Sequence, residues 1–317
     1  MKKMINNTRI VGRLYQHNLA LRVSSPQSKT PGTEYISGTV DIATDEEGIN
    51  IVSVHFSFVT ALTKDKKPNN TFIVLKNIID HFYKSVMADG FDEASKFRID
   101  SAIGLNEFYT DRNGKEELVS TKRNEGGFIH YINSLDNEPV NSRNTFTCDM
   151  VITGVTTQEA DPERNLPEKA IVKGAIFDFR NALLPVEFSA ISPNAIAYFE
   201  GLGASSKEPV FTKIWGSQIS ETVVRTITEE SAFGEPSVRE VKSSRKDFVI
   251  TGASPTPYVW DDESSITAQE LVEAMTARET VLATLKQRQN EYKNSQNNAI
   301  PAATATATTT SSETFNF

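Results

Sequence analysis

Cations and aromatic rings recur at two-residue spacing near the start of the chain. In TRIVGRLYQHNLALRV (8–23), Arg9, Val11, Arg13 and Tyr15 alternate with Ile10, Gly12 and Leu14, the period of a half-buried strand. In TEYISGTVDIAT and INIVSVHFSFVT the alternation predicts Ile36, Val40, Ile42, Val52, Val54, Phe56 and Phe58 inward. It predicts Tyr35, Ser37, Thr39, Asp41, Ser53, His55 and Ser57 outward. Loops beside these strands add Arg22, Lys29, Lys64, Lys66, Lys67, Lys122 and Arg123. Cations that track phosphates, with rings on which bases stack, are what holding a single nucleic-acid strand requires. Each stacked base is worth roughly 1–3 kcal/mol, whatever its identity. In the second half, Lys173 and Phe177 fall outward, and Phe211, Lys213 and Trp215 share one face of a strand. Each pattern also has a structural use: solvated edges for the lysines, core filling for the rings.

Catalytic chemistry is not expected. The chain has no GxxxxGK[ST] loop, no HExxH and no GxSxG. One cysteine, Cys148, excludes an intrachain disulfide, and histidines at 17, 55, 81 and 130 are too scattered for a His-rich metal centre. Asp45, Glu46 and Glu47 read as a hairpin turn, and Asp261, Asp262 and Glu263 as acid before a helix N-terminus. No cofactor and no metal are expected.

The net charge of −8 at first argues against a polyanion partner, but its location matters. Residues 1–150 carry 18 basic against 19 acidic side chains, and residues 151–317 carry 15 against 22. The first 33 residues hold six cations and no acid. Further basic runs are Lys64/Lys66/Lys67, Lys122/Arg123 and Arg239/Lys242/Arg245/Lys246. Such patches on an acidic chain suit a salt-sensitive groove.

The elements that must position these residues follow in a repeated order. Three strands lead to a helix over 71–89, capped by Asn70 or Thr71, and then to two strands around Asn113-Gly114, a hairpin signal. From 145 the order recurs, with a Ser-Pro helix entry at 192–193. ISGTV (36–40) matches VKGAI (172–176), and VHFS (54–57) matches VEFS (186–189), which suggests an internal repeat. Five strands with a helix between the third and fourth is the order of the OB-fold, a small Greek-key barrel that binds ligand across strands two and three. The expected fold is mainly β. It has OB-fold-like barrels at 1–140 and 141–258, a C-terminal helix at 259–294 and a disordered Ala/Thr/Ser tail at 295–317. Leu271, Met275, Leu282, Leu285 and Tyr292 form a helical stripe broken by Arg278 and Gln289, which predicts packing on the preceding barrel.

In TRIVGRLYQHNLALRV, GTEYISGTVDIATDEEGINIVSVHFSFVT and PYVWDDESSITAQELVEA the chain resembles the single-stranded-DNA-binding proteins of bacterial viruses. The resemblance implies sequence-independent binding of single-stranded DNA in phage replication, recombination or repair, in the cytoplasm of a bacterial host. It also implies a tail that recruits replication or recombination proteins. This tail ends in Phe315 and Phe317 but carries only Glu313 as an acid and no proline near its end. The residue types do not separate DNA from RNA. No apolar run approaches the roughly 20 residues that span a bilayer, so no membrane partner is expected. Two other readings remain open, a virion tail or capsid protein and a β-rich adaptor that binds through its C-terminal helix.

Overall fold

The computed structural model describes residues 3–112, 114–161, 167–229, 237–260 and 266–298; of these, 221–229, 237–245 and 292–298 are described by their backbone alone. The alternation in the first half is realised as β1 (Asn6–His17), β2 (Ala20–Val23), β3 (Glu34–Ala43) and β4 (Ile51–Thr60). After α1 (Asn70–Ile79) and the short α2 (Val86–Asp89) come β5 (Lys96–Arg112) and β6 (Lys115–Ile132). Antiparallel pairs join β1 to β3, β3 to β4, β5 to β6 and β1 to β5, and a parallel pair of β4 with β6 closes the circle. Inward Ile10, Leu14, Val54, Phe56 and Phe97 fill this barrel, and α1 lays Phe72, Leu75 and Ile78 against them.

α1 is shorter than the sequence predicts. Asn69 is its cap, accepting a hydrogen bond from the Thr71 amide at 3.1 Å. The helix stops at Asp80 because His81 takes a left-handed φ of 58°, which ends α-helical bonding. The chain then returns to the barrel edge, where the Ser95 amide bonds the Lys84 carbonyl.

The order recurs in β7 (Asn144–Gln158), β8 (Lys169–Phe177), β9 (Leu183–Ala190), α3 (Pro193–Gly201), β10 (Val210–Glu229) and β11 (Ser237–Ala253). β7 pairs with β8, β8 with β9, β10 with β11 and β10 with β7, and a parallel contact of β9 with β11 closes it. Ser192 caps α3, with proline at the first position as the sequence indicates. Phe146, Met150, Phe188, Phe199 and Phe248 form the core, with the Phe146 and Phe188 rings stacked at 5.1 Å. Each half therefore closes an OB-fold-like barrel of five strands with a helix between the third and fourth of them, β2 being an additional edge strand on β3 in the first half. The protein is mainly β, with one long C-terminal helix, α4 (Ala268–Asn298).

The barrels share a sheet, because β1 residues Asn6–Ile10 pair with Asn144–Cys148 of β7. Buried Asn6 fastens the joint. Its Nδ2 donates to the carbonyls of Ile103 and Phe177 at 2.9 and 3.1 Å, and its Oδ1 accepts from the Ile103 amide. A second polar joint is the reciprocal amide pair of Asn124 and Gln218, at 2.8 and 3.1 Å. β5 runs on beyond its own barrel, and Ile103 enters the core of the second one.

Tyr258, Trp260 and residues 266–291 bind both barrels from outside. Tyr258, Trp260, Ile266 and Leu271 cover Val151, Phe177 and Phe211 to form a third core. The capping box at Thr267–Glu270 closes as its sequence implies: the Glu270 amide donates to Thr267 Oγ1, and the Thr267 amide to Glu270 Oε2. Farther along α4, Arg278 pairs with Glu107, the Tyr109 amide donates to Gln289 Oε1 at 2.8 Å, and Lys286 reaches Glu116 at 2.8 Å. The polar residues that interrupt the apolar stripe are thus what fasten α4 to the β5–β6 hairpin. Met275, inside the stripe, is exposed. Among the described residues no helix is long and apolar enough to cross a membrane.

Candidate nucleic-acid interface

The outer face of β3 and β4 in the first barrel gathers Tyr35 and His55 with Arg22 and the neighbouring Lys64/Lys66/Lys67 loop, fewer than half of the residues the sequence singles out. Tyr35 on β3 lies directly opposite Arg22 of β2, and cross-strand partners share a face. A bulge reshapes β4. Ile36 pairs with Val59 and Gly38 with Phe56, so β4 carries one residue more than β3 in this interval. The extra residue reverses the alternation after Phe56. Phe56 is fully buried, as expected, but Phe58, expected in the core, turns outward and is 47% exposed. Its ring meets Tyr35 at a centroid distance of 4.4 Å, and Val59 takes the inward place. The result is a pair of rings, Phe58 exposed and Tyr35 half-buried, next to Arg22 and beside the loop that holds exposed Lys64, Lys66 and Lys67. That loop is tightly folded: the Lys66 amide bonds the Thr63 carbonyl and Lys66 has a φ of 58°.

Farther along the same face, half-buried His55 sits between Thr39 of β3 and Glu125 of β6. Arg123 Nε donates to Glu125 Oε1 at 2.6 Å. Burial lowers the His55 pKa, and repulsion by Arg123 adds to this while Glu125 opposes it. A phosphate placed here would reverse the balance by favouring imidazolium.

Other expected contacts lie elsewhere. Arg9 is held by Glu138 through two hydrogen bonds of 2.8 and 2.7 Å, and this pairing raises its pKa. Arg13 lies at the opposite end of the barrel, its guanidinium 4.7 Å from the Phe91 ring centroid. Tyr15 is the extra residue of a bulge in β1 and is half-buried. Lys122 turns into the second barrel. It donates to the Glu187 carbonyl, its ammonium lies 4.9 and 5.1 Å from the Phe188 and Phe248 rings, and burial lowers its pKa. It seals the end of that barrel instead of facing a groove.

In the second barrel Phe177, expected to be exposed, is fully buried. It does point out of its own barrel, but the segment around Tyr258, Trp260 and Ile266 packs over it. Exposed Lys173 pairs with Glu187 at 3.5 Å, which neutralises the cation. Lys213 is half-buried opposite Asp149. Trp215 is 39% exposed, with its indole lying against Gly252, where any Cβ would collide with the ring. The side chains of Arg239, Lys242 and Arg245, together with Phe315, Phe317 and the rest of the tail, lie outside the described residues, as do Asp261, Asp262 and Glu263.

Phe58 is the site residue that alternation misses. Its only signal is Gly38, which takes a φ of 138° opposite the bulge and lies against the Asn18 carbonyl. The Asn50–Asn124–Asn144–Gln218 cluster that joins the barrels has no local signal at all.

Among curated proteins no sequence matches. Solved structures that resemble the chain include the wild-type single-stranded DNA binding protein from Thermus aquaticus. It shares 11% identity and a TM-score of 0.43, over 81% of this chain and 96% of that one. A deletion mutant of the same protein gives 10% identity and a TM-score of 0.44, over 83% and 100%. A replication protein A heterotrimer bound to ssDNA gives 12% and 0.19, over 86% and 69%. At these scores the likenesses carry no argument about ligand or mechanism. The family model named YorF matches residues 5–288, nearly the whole described chain, and the protein belongs to the YorF family.

Proposed function

We propose that the protein binds single-stranded DNA without regard to sequence, along the outer face of β3 and β4 in the first barrel. The observation that carries this reading is the Tyr35–Phe58 ring pair, with Phe58 exposed and Tyr35 half-buried, beside Arg22 and the Lys64/Lys66/Lys67 loop. Large rings left in water on a strand face cost solvation unless something covers them, and every base has a flat face that can. Cations around them supply the salt-dependent term that a phosphate backbone demands. A duplex keeps its bases stacked inside and cannot use the rings, so the site selects for single strands. His55 continues the path toward β6, where Arg123 is paired with Glu125.

The role is one of binding, not catalysis, and it fits replication, recombination or repair of a bacterial virus inside its host. RNA could occupy the same face. Recruitment of replication proteins by Phe315 and Phe317 belongs to the same proposal. The test is a titration with labelled single-stranded and duplex oligonucleotides over a salt series. Single-strand preference, with affinity falling steeply as salt rises, is the expected result. Equal affinity for the two forms, or no binding at low salt, would favour the virion-structural or adaptor readings.

A further inference from the structure

At the end of the first barrel away from Tyr35 and Phe58, a cleft of about 310 Å³ opens beneath the linker that leads to β7. Its lining includes Arg13, Lys96, Arg143, Glu46, Asp136 and Glu138. Two of the acids are already engaged. Arg143, whose side chain is almost fully buried, donates to Glu46 at 2.5 Å, and Glu138 accepts both bonds from Arg9. That leaves Arg13 and Lys96 facing one acid, Asp136. Arg13 and Lys96 stand directly opposite each other on β1 and β5, an arrangement in which like charges repel. Among the described residues, neither is joined to a carboxylate by a hydrogen bond or ion pair. Arg13 cannot easily swing away, because its guanidinium packs on Phe91 and its Nε and Nη1 are shielded with no hydrogen-bond partner.

The two cations outnumber the one unengaged acid of the lining, Asp136, and leave the cleft net positive. From this we propose a second ligand site, in which Arg13 and Lys96 bind a phosphate monoester. A dianionic phosphate has the charge to satisfy both cations and several acceptor oxygens to offer them, and the cleft has room for such a group. The group could come from free phosphate or a small phosphorylated metabolite, or from the 5′ end of a nucleic-acid strand. The site stands apart from the β3–β4 face and does not depend on it.

Thermal unfolding of the full chain with inorganic phosphate, against chloride at equal ionic strength, tests this without any nucleic acid. A saturable rise in Tm is expected, with apparent affinity weakened about tenfold or more in Lys96→Gln, the loss of one charged hydrogen bond. Asp136→Asn, on an exposed turn and safe for folding, should instead bind phosphate more tightly. No saturable phosphate effect in the wild type, or the same response in all three proteins, would overturn the proposal. A second arm compares 5′-phosphorylated with 5′-hydroxyl oligonucleotides. Tighter binding of the phosphorylated form that Lys96→Gln abolishes identifies a strand end as the source. Equal binding alongside the phosphate effect identifies a free phosphate ligand.

Discussion

The two barrels share strand order, helix position and a phenylalanine-rich core, yet they spend their surfaces differently. In the first, the outer face of β3 and β4 stays open, and a bulge turns Phe58 out beside Tyr35. In the second, the C-terminal segment covers Phe177 and Phe211, Lys122 seals the end over Phe188 and Phe248, and Lys173 is neutralised by Glu187. The repeated strand order therefore does not repeat the same surface. The first barrel leaves the Phe58 ring in solvent, and the second uses Val151, Phe177 and Phe211 to anchor the C-terminal segment.

The largest effect should come from breaking the covered face. Phe177→Ala removes a fully buried ring from the third core and should cost about 3–5 kcal/mol in chemical denaturation, with oligonucleotide affinity unchanged under folded conditions. A loss of affinity without loss of stability would place Phe177 in a binding role after all. The joint between the barrels comes next. Gln218→Leu strands the Asn124 amide and should cost about 1–3 kcal/mol, read from the same denaturation curves. On the open face the signs exchange. Tyr35→Ala and Phe58→Ala should leave stability nearly intact and each weaken single-strand binding by about 5- to 150-fold, the worth of one stacked base. Replacing Lys64, Lys66 and Lys67 with Ala should act mainly on salt dependence. The slope of log affinity against log salt should fall by about 0.7 for each phosphate that these lysines no longer neutralise.

The smallest effect concerns pH. Burial holds the folded His55 pKa below its ordinary value of 6.5. The unfolded chain therefore binds more protons just below that pH, and stability rises with pH through the window and falls as pH drops through it. His17, also lowered by burial, acts the same way, so the difference between wild type and His55→Gln isolates one group. The wild type should lose more stability than the variant as pH falls below 6.5. Affinity for the strand should rise over the same range in the wild type only, since a nearby phosphate favours imidazolium.

How much of this the sequence revealed depends on distance along the chain. Strand identities, the Ser192-Pro193 helix entry and the Thr267–Glu270 capping box are local patterns, and each appears where alternation or capping chemistry puts it. The half-buried, outward placement of Tyr35 and His55 and the exposure of Lys64, Lys66 and Lys67 were legible for the same reason. What failed needed partners far away in sequence. Arg9 looked free until Glu138 returned to it, and Phe177 looked exposed until Tyr258, Trp260 and Ile266 covered it. Phe58 failed differently, because one inserted residue on β4 reverses a period of two, and no composition rule marks where a bulge falls. Arg278 and Gln289 read as defects in an apolar stripe, yet they hold α4 in place, because their partners lie on a hairpin about 170 residues earlier.

The most direct test of the difference between the barrels is photo-crosslinking of a single-stranded oligonucleotide to the full chain, with the adducts mapped by mass spectrometry. Adducts on the peptides carrying Tyr35 and Phe58, and none on β8 or β9, are expected. Adducts confined to the second barrel, with the first left unmodified, would contradict the assignment of the binding face.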